Sequence, residues 1–176
     1  MQLHTEISGK ELLPNVATIG FFDGVHRGHR FLIEQVCEAA AVRGLASSVI
    51  TFPVHPRKVM HPDFHSELLT SCDEKTALLA DTGIDYCIML DFTPDLARLS
   101  AKQFMAVLKG DYQVQAVVIG YDHRFGHNRS EDFDDYVRYG QELGMEVILA
   151  QAYSNNEMTV SSTAIRHHLI DVDLSE

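Results

Sequence analysis

Glycine turns that run into a pair of histidines are suited to holding phosphate. The segment Gly20-Phe21-Phe22-Asp23-Gly24-Val25-His26-Arg27-Gly28-His29 has that character. Gly20, Gly24 and Gly28 let the backbone turn tightly and approach a ligand closely. A helix opening near Gly28 would present free N–H groups and the positive end of its dipole. His26 and His29, three residues apart on its first turn, add side-chain donors on one side. Together these groups make an anion site with steerable hydrogen bonds. The segment has neither the Lys-Ser/Thr of a P-loop nor the Gly-x-Gly-x-x-Gly spacing of a dinucleotide-binding turn. Asp23 is close, but His26 and His29 lack Cys or carboxylate partners at metal spacing, and no metal ligands are predicted.

Other chemistry-bearing residues read differently. Asp122 and Arg124 follow an apolar run, which favours a functional loop over a plain surface ion pair. Ser161, Ser162 and Thr163 open a last predicted helix that includes Ile165 and Leu169, with Arg166 one turn in. His167 and His168 read as exposed caps on that helix's dipole. Glu131, Asp132, Asp134 and Asp135 read as a solvated helix start. Phe104, Met105 and Leu108 form a core stripe at helical spacing.

The elements that must position these residues alternate along the chain. Apolar runs at Val16–Gly20, Ser47–Phe52, Tyr86–Leu90, Ala116–Gly120 and Glu146–Ala150 predict five strands. Their starts lie about 30 residues apart, the size of a βαβ unit, and their almost wholly apolar character suits parallel strands buried on both faces. A helix is predicted over His29–Arg43 with Gly44 as its C-cap. Ser71 and Ser100 open helices with capping boxes, the first ending near Gly83. Ser130 is read as opening a helix with Glu131 and Asp132 in its first turn and Gly144 at its end. Pro53–Leu68 holds three of the five prolines and reads as a long loop. The expected fold is α/β, a doubly wound, Rossmann-like parallel five-stranded sheet, with ligands bound beyond the carboxyl ends of the strands.

Composition narrows the function classes. The chain has 176 residues, 45% hydrophobic and 22% charged, with a net charge of −11. It has no Lys/Arg run, so nucleic acid and anionic membrane are not expected partners. Met1 to Leu13 carries no apolar signal-peptide core, and no apolar stretch reaches the roughly 18–20 residues of a membrane span. Three widely spaced cysteines, Cys37, Cys72 and Cys87, suggest buried thiols and a cytoplasmic location.

Five segments then carry a resemblance. His26-Arg27-Gly28-His29 matches the His-x-Gly-His signature of the nucleotidyltransferase superfamily. The longer Gly-x-Phe-Asp-Gly-Val-His-x-Gly-His string resembles the bacterial FAD synthetases, the FMN adenylyltransferase half of bifunctional riboflavin kinase/FAD synthetases. Thr51-Phe52-Pro53-Val54-His55-Pro56-Arg57 is similar to the family's Thr-Phe-x-x-His-Pro-Arg, and Leu68-Leu69-Thr70 fits the next segment. Gly120-Tyr121-Asp122-His123-Arg124-Phe125-Gly126 is similar to Gly-x-Asp-Phe-x-Phe-Gly, followed by Arg129. Val160-Ser161-Ser162-Thr163-Ala164-Ile165-Arg166 is similar to Ile-Ser-Ser-Thr-x-Ile-Arg. Three positions depart from the pattern: His123 stands for the usual Phe, Phe21 for the common Asn, and Glu131 for a frequent Gly.

The resemblance implies a nucleotidyltransferase fold and transfer of AMP from ATP to FMN, giving FAD and pyrophosphate. It implies His26, His29 and Arg166 as catalytic residues. ATP binding would fall to Gly20, Phe21, Phe22, Asp23, Gly24, His26, Gly28 and His29, with Arg129, Ser161, Ser162, Thr163 and Arg166. FMN binding would fall to Phe52, His55, Pro56, Arg57, Asp122, Arg124 and Phe125. Mg²⁺ would enter with ATP. Residues 1–176 would form a single FMN adenylyltransferase domain; family members usually continue into a riboflavin kinase domain, which these residues lack, so either a stand-alone enzyme or a piece of a longer one is expected. Two alternatives stay open: a nucleotidyltransferase acting on pantetheine phosphate or nicotinate mononucleotide, and a nucleotide- or flavin-binding module without turnover.

Overall fold

The computed structural model of the protein describes residues 1–4, 11–65, 67–120, 122–127 and 129–153. Its strands are β1 (Gln2–His4), β2 (Asn15–Ile19), β3 (Ala46–Thr51), β4 (Tyr86–Met89), β5 (Val114–Ile119) and β6 (Glu146–Leu149). They form one sheet in the order β1-β4-β3-β2-β5-β6, and every neighbouring pair is parallel. The five apolar runs are strands β2 to β6. The sixth, β1, corrects the expected count. It is a three-residue edge strand whose residues stay largely exposed, so no buried run marks it.

Alternation along the central strands divides the core in two. Ala17, Ile19, Val117 and Ile119 join one buried cluster with Phe104, Met105 and Leu108 of α5 (Ala101–Asp111) and Tyr136 of α6 (Phe133–Leu143). Val16, Ala116 and Val118 point the other way, to Ile33 and Val36 of α1 (Arg27–Arg43) and Leu79 of α3 (Cys72–Ala80). A period of two on the strands thus requires helices on both faces. The chain winds outward from β2 through β3 to β4, then returns to lay β5 on β2's other side. Strand order reverses between β2 and β5, and a crevice opens beyond their carboxyl ends.

Local signals explain the helix ends. Ser71 and Ser100 each close a full capping box, with Glu74 and Gln103 respectively. Gly44 and Gly144 end α1 and α6 in the left-handed conformation. The start of α6 differs from expectation. Asp132, not Ser130, is its N-cap, because Asp135 stands three residues on and returns the bond to the Asp132 N–H. The Pro53–Leu68 loop contains a short helix, α2 (Pro56–Met60), which Pro56 can begin because a first-turn residue needs no N–H partner. A second short helix, α4 (Pro94–Ala97), also starts on a proline. The last predicted helix, with Ser161 to Leu169, lies outside the described residues.

The loop after β5 is fastened to α5. His127 N–H donates to the Leu99 carbonyl at 2.9 Å. Gly126 sits at φ +87°, and a Cβ there would lie 2.5 Å from the Ala101 nitrogen. Gly126→Ala is therefore expected to destabilise the fold by more than about 1 kcal/mol, read as a lower urea midpoint at unchanged m-value.

Candidate active site

Three loops meet at the carboxyl edge of the sheet. The first leaves β2 and forms a tight 3₁₀ turn over Asp23–Val25 before α1. Its backbone is strained: Phe22 has φ 56°, Gly24 φ 73° and the β-branched Val25 φ 39°. Burial holds the strain, since Phe22 and Val25 are sealed in the core. The buried Asp23 carboxylate fastens the turn from outside. It accepts from Leu69 N–H at 3.0 Å and Thr70 N–H at 3.1 Å, while Thr70 Oγ1 accepts from Gly24 N–H at 3.1 Å. A Cβ on Gly24 would meet Leu69 at 2.9 Å, so the two segments touch at backbone distance.

This turn delivers the histidine pair to the start of α1. His26 is the N-cap, and its Nδ1 accepts from His29 N–H at 3.4 Å. The two rings stack with centroids 3.6 Å apart and an interplanar angle of 19°. Phe22 meets His29 edge-on at 5.1 Å. Burial, and then the neighbouring His26, push the His29 imidazole down to about 3. Burial also lowers His26, against the opposing pull of Asp23. Both rings are therefore neutral at pH 7. Each supplies a hydrogen-bond donor and an acceptor rather than a charge. The free N–H groups of α1 add to them.

The second and third loops build a different surface. After β3, His55 caps α2 by accepting from Arg57 N–H at 3.1 Å, and its ring meets Phe21 at 4.7 Å. After β5, Phe125 stacks on Tyr136 at 4.4 Å, and Tyr136 Oη accepts from Phe125 N–H at 3.2 Å. Phe21, Phe52, Phe92, Phe104 and Phe125 line a cavity of about 200 Å³ whose polar rim carries His55, Arg57, His123, Arg124 and Arg129. A second cavity, lined by Phe22, Asp23, His29 and Leu32, adjoins it. The two share Ile19, Gly20, Phe21, His55 and His123 as a common wall.

Lys75, on α3, ties that wall together. The residue is 3% exposed. It donates to the Phe52 carbonyl at 2.8 Å, the Phe21 carbonyl at 3.0 Å and Thr51 Oγ1 at 3.2 Å. It also lies 4.1 Å from the Phe21 ring centroid. Thr51 Oγ1 in turn donates to the Phe21 carbonyl at 3.0 Å. Burial lowers the Lys75 pKa, opposed by nearby Cys72, Cys87 and Asp23.

The structure brings most of the sequence-predicted residues to these two cavities. Phe52, His55, Pro56, Arg57, Arg124 and Phe125 line the aromatic one. Gly20 and Phe21 line both, and Phe22, Asp23 and His29 line the second. Arg129, expected among the ATP residues, lines the aromatic cavity. Asp122 is exposed and lines neither, nor do Gly24, His26 and Gly28. The Asp23 carboxylate fixes the Leu69-Thr70 backbone as well as facing the cavity. Ser161, Ser162, Thr163 and Arg166 lie outside the described residues. Among the described residues no group of three His, Cys, Asp or Glu side chains is placed to hold a metal ion, and no helix is long and apolar enough to cross a membrane.

Sequence reasoning missed Lys75, Phe92 and Leu96, and took Phe104 as core alone. Phe104 is indeed buried, but its ring also borders the cavity. One signal for Lys75 existed: it precedes the fully buried Leu79 by four residues and so shares its inward face.

Two outcomes follow from this geometry. Lys75→Met leaves the Phe52 carbonyl without its Lys75 donor and takes one of two donors from the Phe21 carbonyl, and is expected to destabilise the fold by about 2 kcal/mol in urea titration. For His29 the folded pKa, about 3, lies below the ordinary 6.5. Between those values the unfolded chain binds more protons, so stability falls as pH drops from about 7 towards 3. His29→Asn should make that decline shallower when urea midpoints are compared across the range.

Known proteins share this architecture and sequence. The family model for FAD synthetase matches residues 9–164. The bifunctional riboflavin kinase/FMN adenylyltransferase of Escherichia coli K12 is 35% identical over 161 residues, 91% of this chain and 51% of the relative. That of Pseudomonas fluorescens is 36% identical over 164 residues, 92% and 52% respectively. The chain thus spans about half the length of the curated relatives it matches. The crystal structure of a macrolide-efflux protein from Streptococcus pneumoniae superposes with a TM-score of 0.81 at 26% identity, covering 95% of this chain and 55% of that one. A lipopolysaccharide core biosynthesis protein from Thermoplasma volcanium, at 14% identity and a TM-score of 0.53 over 81% of this chain and 99% of that one, shares the fold. With its motifs matched in order along nearly the whole length, the chain belongs to the FAD synthetase family.

Proposed function

We propose that this chain transfers AMP from ATP to FMN, giving FAD and pyrophosphate. The observation that carries the reading is the pair of adjoining cavities with one common wall. A reaction that joins two phosphate-bearing molecules needs both held at once, with the reacting phosphates meeting where the sites meet. The five phenylalanines suit a flat heteroaromatic ring, which favours FMN over the flexible chain of pantetheine phosphate. The histidine turn suits the phosphates of ATP.

In this mechanism an oxygen of the FMN phosphate attacks the α-phosphorus of ATP. The new P–O bond forms as the bond to the bridging oxygen breaks, and pyrophosphate leaves with those electrons. The chain supplies positioning and charge stabilisation rather than covalent chemistry. Neutral His26 and His29 donate hydrogen bonds to the phosphates. Arg57, Arg124 and Arg129 offset negative charge on the aromatic side. Ser161, Ser162, Thr163 and Arg166 are assigned to ATP on their motif. Mg²⁺ enters as part of the MgATP substrate. A cytoplasmic location fits the three free cysteines, and a riboflavin kinase domain on the same polypeptide fits the relatives' names.

Incubating the chain with ATP, Mg²⁺ and FMN is expected to yield FAD and pyrophosphate in equal amounts by chromatography. Binding of both substrates without pyrophosphate release would point instead to a non-catalytic module. His29→Ala is expected to lower kcat/KM more than threefold, a loss above ~0.7 kcal/mol; a smaller change removes His29 from the catalytic set.

A further inference from the structure

His123 occupies the position where the two cavities meet, and lines both. Its backbone is fixed: His123 N–H donates to the Gly120 carbonyl at 3.0 Å, and Arg124 donates to the His123 carbonyl at 3.0 Å. Its Nε2 is sealed from solvent and has no hydrogen-bond partner. A buried polar nitrogen in that state is destabilising until an acceptor or donor reaches it. Burial, then the charges of Arg129 and Arg124, hold the ring neutral by pushing it down to about 4. A neutral imidazole with its proton on Nε2 is a donor. Because His123 lines both cavities, a ligand oxygen held at their junction would be the partner this nitrogen lacks.

We propose that His123 is a specificity-determining residue that donates Nε2–H to a phosphate-monoester oxygen of the acceptor, and so selects a phosphorylated flavin over an unphosphorylated one. The inference rests on the flavin reading given above. The adjoining Arg124 and Arg129 supply the positive field that a phosphate dianion needs, and the imidazole supplies a directed hydrogen bond within it. The phenylalanine usual in the family at this position would fill the space without a donor. This chain therefore places at the junction a polar contact that its relatives' motif does not encode.

The test compares FMN with riboflavin, which differ only in the phosphate. Dissociation constants for both are measured by flavin fluorescence for the wild-type chain, His123→Phe and His123→Gln. His123→Phe is expected to weaken FMN binding about tenfold while riboflavin binding stays within about twofold. His123→Gln, which keeps an N–H donor, is expected to retain most of the FMN preference. Unchanged riboflavin binding shows that the variant is folded. An unaltered FMN-to-riboflavin ratio in His123→Phe, or equal loss of both flavins in both variants, overturns the inference while leaving the flavin reading intact. A wild-type chain that binds neither flavin overturns the flavin reading, and this inference with it.

Discussion

A single buried ammonium ties together the loops that leave β2 and β3. The carbonyls of Phe21 and Phe52 face a common gap between these loops, where a buried acceptor left unpaired would be costly. Lys75 fills that gap with three donors on a flexible stem, a geometry that suits the point-like ammonium better than a planar guanidinium. Because the same charge lies against the face of Phe21, it fixes the ring as well as the backbone. Phe21 belongs to the wall between the cavities. Part of the wall between the two cavities is thus held in place by a lysine that lines neither of them.

The histidine turn shows the complementary principle. Left-handed Phe22 and Val25 are unfavourable in isolation. They persist because their side chains are buried in one cluster with residues of α1 and α3, and because Asp23 anchors the turn to Leu69 and Thr70. The result is a rigid loop with two neutral, stacked imidazoles at a helix start. Among the described residues, Arg57, Arg124 and Arg129 line the other cavity, and no lysine or arginine lines this one.

Much of this was legible in the sequence, for physical reasons that differ by element. The central strands are buried on both faces and therefore mostly apolar, their few polar residues, such as Asn15 and Ser48, being themselves buried. β1 is an edge strand of three residues, and nothing in Gln2-Leu3-His4 separates it from a polar terminus. Ser130 and Asp132 are both capable caps; the choice turns on which has a carboxylate three residues on, and Asp135 decides it. Pro56 obscured α2, since proline reads as loop unless it occupies the first turn. The site residues could be found by motif because they sit at strand ends. Lys75, Phe92 and Leu96 could not, since their roles depend on backbone and loops far away in sequence.

The position of β2 at the centre of the sheet has a consequence for how the molecule comes into being. β2 pairs with β3 early in the chain, but its other edge waits for β5, about a hundred residues later. A polypeptide emerging from the ribosome can complete the histidine turn and the Lys75 clamp while that edge is still open. The common wall of the two cavities needs His123, and the aromatic cavity needs Phe125 and Arg129. A half-made chain is therefore able to present the turn but not the junction, and the common wall of the two cavities closes only with the docking of the strand that reverses the order of the sheet.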